Sequence, residues 1–350
     1  MDLSKPANCC ENPITGVWVE EKEHVYFDGK EKLTGYLSST GILGKLIYFN
    51  EDKFALNKAK SLNKNWYFLN KETQDKLKKK VIEEWKETRE SGTLKHKIIE
   101  SYYMKSIKYE APEKNSSNYE ALTRAVEFIN NLSNVATIET CEAAFKYENE
   151  TSKCTGSADV ILKIKGTNPP KYGIVDWKNT KKFSKTDKES CNWINFEKHN
   201  PAFLHKTRSQ IGFRYNKYIN YSLQVMMYCI FGKKYYNIDE NYLYVVNLSD
   251  DTLYEKNTYS ISNFHIDPHK KIMVFENIEK VNGKERWKTE YKTLEEFCLF
   301  IIKHANTIKQ GCLPEFKKPN KTTKPMHLVI TPKHVSASKR NASDVKIKPK

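Results

Sequence analysis

Leu77, Val81 and Trp85 recur four apart among charged residues, and that spacing predicts an amphipathic helix over 71–90. Gly92 should end it, and Thr93 should cap a second helix through "LKHKIIESYY". Leu122, Ala125, Val126 and Ile129 form one apolar stripe, so a third helix is expected at 118–132. Ahead of all three, "HVYFDGKEKL" (24–33) alternates around Asp28-Gly29, a pair that suits a hairpin turn. The Ser and Thr residues of the following "LSSTGILGKLIYF" offer helix caps.

Beyond residue 132 the texture changes. "NVATIETCEAAFKY", "ADVILKI" and "YGIVDWK" are β-rich and separated by the turn-formers "ENETSKCTG" and "KGTNPP". Residues 183–219 show no clear period and read as a long basic loop, after which "NYSLQVMMYCIF" (220–231) is strongly helical. A strand, "NYLYVVNL" (241–248), a β-rich stretch at 270–276 and a helix over roughly 293–310 complete the pattern. No internal repeat is present. Helix, three strands, helix, strand is the order of an α/β fold: a small mixed sheet flanked by helices, with N-terminal helical additions. The expected organisation is one domain over 1–312, with the hairpin and helices in 1–132 and the core in 133–312. A Pro- and Lys-rich tail over 313–350 should be disordered.

Composition narrows the class. Hydrophobic residues make up 39% of the 350, with 21 Tyr, 16 Phe and 6 Trp, which suits a folded chain with a sizeable core. The longest apolar runs, such as "CLFII" (298–302), are too short to cross a bilayer. The first residues, "MDLSKPANCCENPITG", lack the apolar centre of a signal peptide, so an intracellular location without a membrane partner is expected, nucleus and cytoplasm being indistinguishable. None of the eight Cys forms a C-x-x-C pair, which leaves reduced, mostly buried thiols as the expectation. The net charge of +16 points to an anionic partner, but ten Lys and Arg in 313–350, against Glu315 and Asp344, supply half of it.

Candidate chemistry lies in "GSADVILKIKGTNPPKYGIVDWKNTKK" (156–182). Asp159 opens one predicted strand and Asp176 ends the next, so a hairpin sets them side by side. Two adjacent carboxylates repel unless a cation lies between them, and oxygen donors of this kind suit Mg²⁺ or Mn²⁺. Lys178, two residues after Asp176, faces the same side. Metal-binding acids with an ammonium group suit phosphodiester hydrolysis, although an isolated pattern of this length is ordinarily an ion pair at a strand end. Further features add to it. Glu139 and Glu142 lie on the preceding strand, His96 and Glu100 share a helix face, and so do Gln224 and Tyr228.

Together these residues resemble the G-x-x-D…(D/E)-x-K core of the PD-(D/E)xK nuclease superfamily, whose fold is a restriction-endonuclease-like core. Within it the chain is most similar to the RecB-like exonucleases, including viral and CRISPR-associated members. "GTLKHKIIE" (92–100) matches their G-T-x-x-H-x-x-x-E helix and "QVMMY" (224–228) their Q-x-x-x-Y helix, so the likeness covers roughly 24–250. It implies His96, Asp159, Asp176 and the Trp177 backbone carbonyl as metal ligands, with Lys178 as the catalytic lysine. It also implies an upstream acid, better matched by Glu142 than by Glu139, and Gln224 and Tyr228 as contacts to the DNA strand. Ala158 stands where the family commonly has Pro. Only Cys298 and Cys312 follow the Q-x-x-x-Y helix, so no iron–sulfur cluster is expected, and no G-x-x-x-x-G-K-[ST] motor motif occurs.

The implied function is a Mg²⁺- or Mn²⁺-dependent exonuclease acting on single-stranded or duplex DNA ends, with protein partners of repair, recombination or replication. An endonuclease on RNA or branched DNA shares the same metal core. A non-catalytic DNA-binding scaffold would not need Asp159, Asp176 and Lys178 intact. Lys206, Arg208 and Arg214 of the basic loop are candidate phosphate contacts beside aromatics that suit base stacking, although such a loop can also simply pack on the core.

Overall fold

Strands with continuous buried runs, covered on both faces, form the centre of the computed structural model, which describes residues 12, 14–20, 25–46, 51–104, 108–180, 192–193, 211–215, 217–249, 260–281 and 284–306. All of these fall within one compact unit, Met1–Glu315. The chain opens with three short antiparallel strands, β1 (Val17–Glu20), β2 (Val25–Asp28) and β3 (Glu31–Lys32). The β2–β3 turn is Gly29-Lys30, one residue later than the predicted Asp28-Gly29, because Asp28 ends β2 and pairs with Glu31. Gly29 has φ 57, in the left-handed region that glycine tolerates. Trp18 stacks on Phe27 with ring centroids 4.3 Å apart and closes this small sheet.

Strand β4 (Leu37–Ser38) leads into α1 (Ser39–Leu46), and α2 (Glu51–Leu62) pairs with α3 (Lys71–Tyr103) as a helical hairpin. The expected stop at Gly92 does not occur: α3 runs unbroken for 33 residues. One glycine costs a helix only about 1 kcal/mol relative to alanine, less than the helix gains by burying Ile99 beyond it. Thr93 accordingly bonds back to the Arg89 carbonyl at 3.2 Å instead of capping. The sequence pattern also missed α2, whose buried face is only Ala55 and Ala59 against Trp66 and Val81.

The main sheet is mixed and flanked by helices. Strands β5 (Ala136–Glu148), β6 (Lys153–Ile164) and β7 (Lys171–Lys178) pair antiparallel, while β10 (Ile238–Asn247) pairs with β7, and β4 with β6, in parallel. Helix α4 (Ser117–Leu132) and the C-terminal part of α3 cover one face through Ile99, Leu122, Ala125 and Phe128. Helix α5 (Lys217–Gly232) covers the other, and α6 (Leu294–Lys303) packs against α5, with Cys298 Sγ 3.4 Å from the Leu223 carbonyl. No described helix is long and apolar enough to cross a membrane.

The region read as a loop, 183–219, contains β8 (Asn192–Trp193) and β9 (Ile211–Tyr215), and α5 starts at Lys217 rather than 220. These strands join β11 (Lys271–Val281) and β12 (Lys284–Thr293) in a second antiparallel sheet, ordered β12-β11-β9-β8. The charged sequence "KERWKTEYKT" hides β12 because it forms an edge strand, where burial does not impose an apolar alternation. The last helix begins one residue later than expected, behind a Thr293–Glu296 capping box. The remainder of 183–219 and the 313–350 tail lie outside the described residues.

Phe128 is the hub of the α4 face. Its ring meets Trp177, Tyr244 and Phe264 edge-on, at centroid distances of 6.0, 5.3 and 5.6 Å, and is fully buried. Phe128→Ala should destabilise the fold by about 3–5 kcal/mol, read from denaturant unfolding. A loss below about 1 kcal/mol would deny it that role.

Candidate active site

Strand β7 leaves β6 after the Val160–Val175 pair, and β4 takes up the same edge of β6 again at Cys154 and Thr155. The gap between them is lined by acids. One step beyond the Val160–Val175 pair, the register sets Asp159 across from Asp176. On the other side, Cys141 pairs with Val160 and Ala143 with Ala158, so Glu142 also lies across from Asp159. Three carboxylates therefore share one rung over three strands. Glu139 instead sits at the register shift of β5 and pairs with Lys163 at 3.6 Å. Geometry thus separates the two upstream acids and puts Glu142 at the rung.

Cations and donors from several elements surround this rung. His96, near the end of α3, brings Nδ1 to 3.4 Å from Asp159 Oδ1. The Trp177 N–H donates to Asp159 Oδ2 at 2.6 Å. Neighbouring Lys178 directs its own carbonyl toward the end of β10, where the N–H of Leu248, the residue just past the strand, donates at 2.7 Å, so ladder alternation turns the Trp177 carbonyl into the gap. Lys178 Nζ lies 2.6 Å from Asp176 Oδ2, although that oxygen lacks a well-directed hydrogen bond; charge rather than direction holds the contact. Glu142 accepts from Ser157 Oγ at 3.3 Å and has φ 49, a left-handed backbone unusual for a residue other than glycine.

Burial and charge pull these groups apart in acidity. Burial pushes the Asp176 carboxyl up to about 6, and Asp159 adds to that push while Lys178 opposes it. For Asp159 burial acts upward too, but His96, Lys178 and the Trp177 N–H outweigh it and hold the group below its usual range. Burial would lower His96 and Lys178, and the neighbouring carboxylates overcome it and raise both. Within the described residues, His96, Glu142 and Asp159 each offer one ligand atom within 4.8 Å of the others. A nitrogen and two carboxylates, with the buried Asp176 beside them, form a donor set that fits a divalent cation such as Mn²⁺ or Mg²⁺.

Helix α5 roofs the rung. Tyr221, Gln224 and Tyr228 lie three and four residues apart on one face. Gln224 Nε2 donates to the Tyr228 hydroxyl, which also bonds Ser39, and the Tyr221 ring centre lies 5.2 Å from Lys178 Nζ. Both Gln224 and Tyr228 are buried, so here they brace the site from within. Burial first, then the Asp176 charge, holds the Tyr228 phenol well above its ordinary value and keeps it protonated. Gly156 makes this packing possible, because a Cβ there would fall 2.7 Å from Tyr228 Cε1.

Sequence reasoning missed the clamp just beyond β7. Asn247, fully buried, accepts the Thr180 N–H at 3.0 Å and donates to the Thr180 carbonyl at 2.7 Å. Lys95 Nζ holds Asn179 Oδ1 at 3.1 Å, and Arg124 donates to the Leu248 carbonyl at 2.6 Å. The signal was present for Asn247, a lone amide in the apolar run "YLYVVNL", and for Tyr221, three residues before Gln224. Of the predicted phosphate contacts, Arg214 belongs to β9 opposite Trp193, and Lys206 and Arg208 lie outside the described residues. Cys141, Cys154, Cys229 and Cys298 are buried and in no disulfide, and burial pushes the Cys154 and Cys229 thiols up to about 12. No protein-family model matches the chain, and comparison with curated proteins finds no match.

Gly156→Ala should lower stability by about 1–3 kcal/mol through the Tyr228 ring, and most of that cost should vanish in a Tyr228→Leu background. Additive losses in the double-mutant cycle would contradict the contact. Asp176 makes the stability of the metal-free protein depend on pH. Its carboxyl takes up a proton at about 6 when folded and at about 3.8 when unfolded, so stability is lost as pH rises between these values. Asp176→Asn removes that loss. The variant should melt higher than the parent at pH 7–8, by no more than about 3 kcal/mol, and no differently near pH 3. A variant less stable than the parent at pH 8 refutes the assignment.

Proposed function

We propose that the chain is a divalent-metal-dependent nuclease of the PD-(D/E)xK type, a RecB-like exonuclease that hydrolyses phosphodiester bonds from DNA ends. The observation that carries this reading is the rung itself: Glu142, Asp159 and Asp176 abreast, with His96 at one side and Lys178 at the other. A surface ion pair at a strand end would not bury Asp176 to 2% side-chain exposure or gather acids from three strands. The motifs "GTLKHKIIE" and "QVMMY", whose residues converge on this rung, support the choice of DNA ends over other phosphodiesters.

His96, Glu142 and Asp159 would hold the metal, with Asp176 and the Trp177 carbonyl beside them. Bound there, a divalent ion acidifies water and neutralises charge building on the phosphate. Lys178 is placed to orient the attacking water and to stabilise the added negative charge on phosphorus as the P–O bond to the leaving strand breaks. Asp176 keeps that ammonium fixed, and the Tyr221 ring covers its other side. The Asn247 clamp fixes the backbone just past Lys178. In this reading the natural setting is DNA repair, recombination or replication.

Purified protein with end-labelled linear DNA, closed circular DNA and RNA, in Mg²⁺ or Mn²⁺, tests the reading. Cleavage confined to linear DNA is expected. Lys178→Ala should cut about 10²- to 10³-fold more slowly while binding DNA in Ca²⁺ as the parent does. Asp176→Asn should lose a similar factor and bind metal more weakly by calorimetry. A parent protein inert with both metals, or variants that cut at the parental rate, would sink the assignment. Cutting of closed circles would move it to an endonuclease.

His96→Ala should raise the metal concentration needed for half-maximal cleavage and leave DNA affinity within about twofold, because phosphate contacts are spread over the surface. Superimposed metal titrations of variant and parent would reduce His96 to a structural partner of Asp159.

A further inference from the structure

The helical hairpin of α2 and α3 carries an aromatic tip that the proposed chemistry does not use. A single 3₁₀ turn, Trp66–Phe68, joins the helices and buries Trp66 against Ala55, Ala59 and Val81. The next two rings turn outward: Tyr67 is 83% exposed and Phe68 90%. This turn is braced. Gln74 Nε2 donates to the Trp66 and Leu69 carbonyls at 3.1 and 3.0 Å, and Asn70 caps α3 by accepting the Thr73 N–H at 2.9 Å. Two adjacent aromatic rings are thus presented to solvent on fixed backbone, which lowers the ordering cost of any ligand that uses them.

Charge decides what that ligand is. From Phe54 to Lys71 the chain has four lysines, Lys58, Lys60, Lys64 and Lys71, and no Asp or Glu. Lys71 pairs with Asp75 at 3.0 Å, whereas Lys58, Lys60 and Lys64 have no carboxylate at ion-pair distance among the described residues. An apolar protein surface would leave these ammonium groups unanswered. Exposed flat rings, preceded in the chain by three lysines that are unpaired among the described residues, match instead an anionic polymer that also offers flat apolar faces.

We propose that the hairpin tip is a stacking platform for single-stranded nucleic acid, with Tyr67 and Phe68 on unpaired bases and Lys58, Lys60 and Lys64 on phosphates. The platform needs no metal. That the strand it holds leads on to the acidic rung rests on the nuclease reading. Helix α3 spans the two places: Lys71 to His96 is about 37 Å at 1.5 Å per residue. Contacts at the tip are therefore separable from the chemistry.

Fluorescence anisotropy with the full chain, in EDTA or Ca²⁺ so that nothing is cut, provides the test. Labelled oligothymidylate and a blunt duplex of equal length are the probes. Tyr67→Ala with Phe68→Ala should lower single-strand affinity by about 30-fold or more, each of the two lost stacks being worth at least about fivefold, and leave duplex affinity within about twofold. The aromatic exchange Tyr67→Phe with Phe68→Tyr should bind as the parent does. Replacing Lys58, Lys60 and Lys64 by Ala should reduce the salt slope on single strands by about 2, at about 0.7 per phosphate contact. Failure of the parent to bind single strands, an unchanged affinity in the double alanine variant, or an equal loss on duplex overturns the proposal. A protein that cuts nothing but shows this ring dependence keeps the platform and loses only the nuclease reading.

Discussion

Mutual repulsion of three carboxylates on one rung of a sheet is the constraint around which the rest is arranged. Glu142, Asp159 and Asp176 come from consecutive antiparallel strands and face the same side. Water would screen them, but the α5 roof excludes most of it, so their charge has to be met by neighbours. His96, Lys178 and the Trp177 N–H meet part of it. What remains shows in Asp176, whose carboxyl is driven upward by burial and by Asp159 despite a lysine at 2.6 Å. Such a site is unfavourable to fold and favourable to a divalent cation, and both consequences follow from one arrangement.

The opposite face of the same strands supplies the stability that this site consumes. Val175 and Trp177 alternate with Asp176 and Lys178, so burying the first pair against α4 aims the second pair into the gap. Phe128 fixes Trp177 in place, and through it the N–H that holds Asp159. The Asn247 bracket performs the same service just past Lys178. Polar residues deep in the structure thus act on backbone position, while the rung carboxylates are left to one another and to their counter-ions.

Helix α3 joins two kinds of surface. Its C-terminal part packs Ile99 into the core and delivers His96 to the rung, and its N-terminal part carries the braced aromatic turn. A break at Gly92 would have uncoupled them. Gly92 instead lies inside the helix where it passes Asn179, with room for little more than ordinary contact.

Periodicity and residue spacing alone determined the amphipathic helices, the β5–β7 strands and the pairing of Asp159 with Asp176, because each follows from local alternation and one short connection. Lys178 was legible for the same reason, being two residues along a strand from Asp176. The tertiary structure decided whatever depends on register or on packing partners remote in sequence. Glu142 separates from Glu139 only because a register shift in β5 puts one beside Asp159 and sends the other to Lys163. Strand β12 and helix α2 were hidden because one lies at a sheet edge and the other buries little more than two alanines, so neither has to show an apolar pattern. The clamp by Asn247 and the roof by Tyr221 join residues tens of positions apart, and nothing local in a chain records which distant backbone an amide will hold.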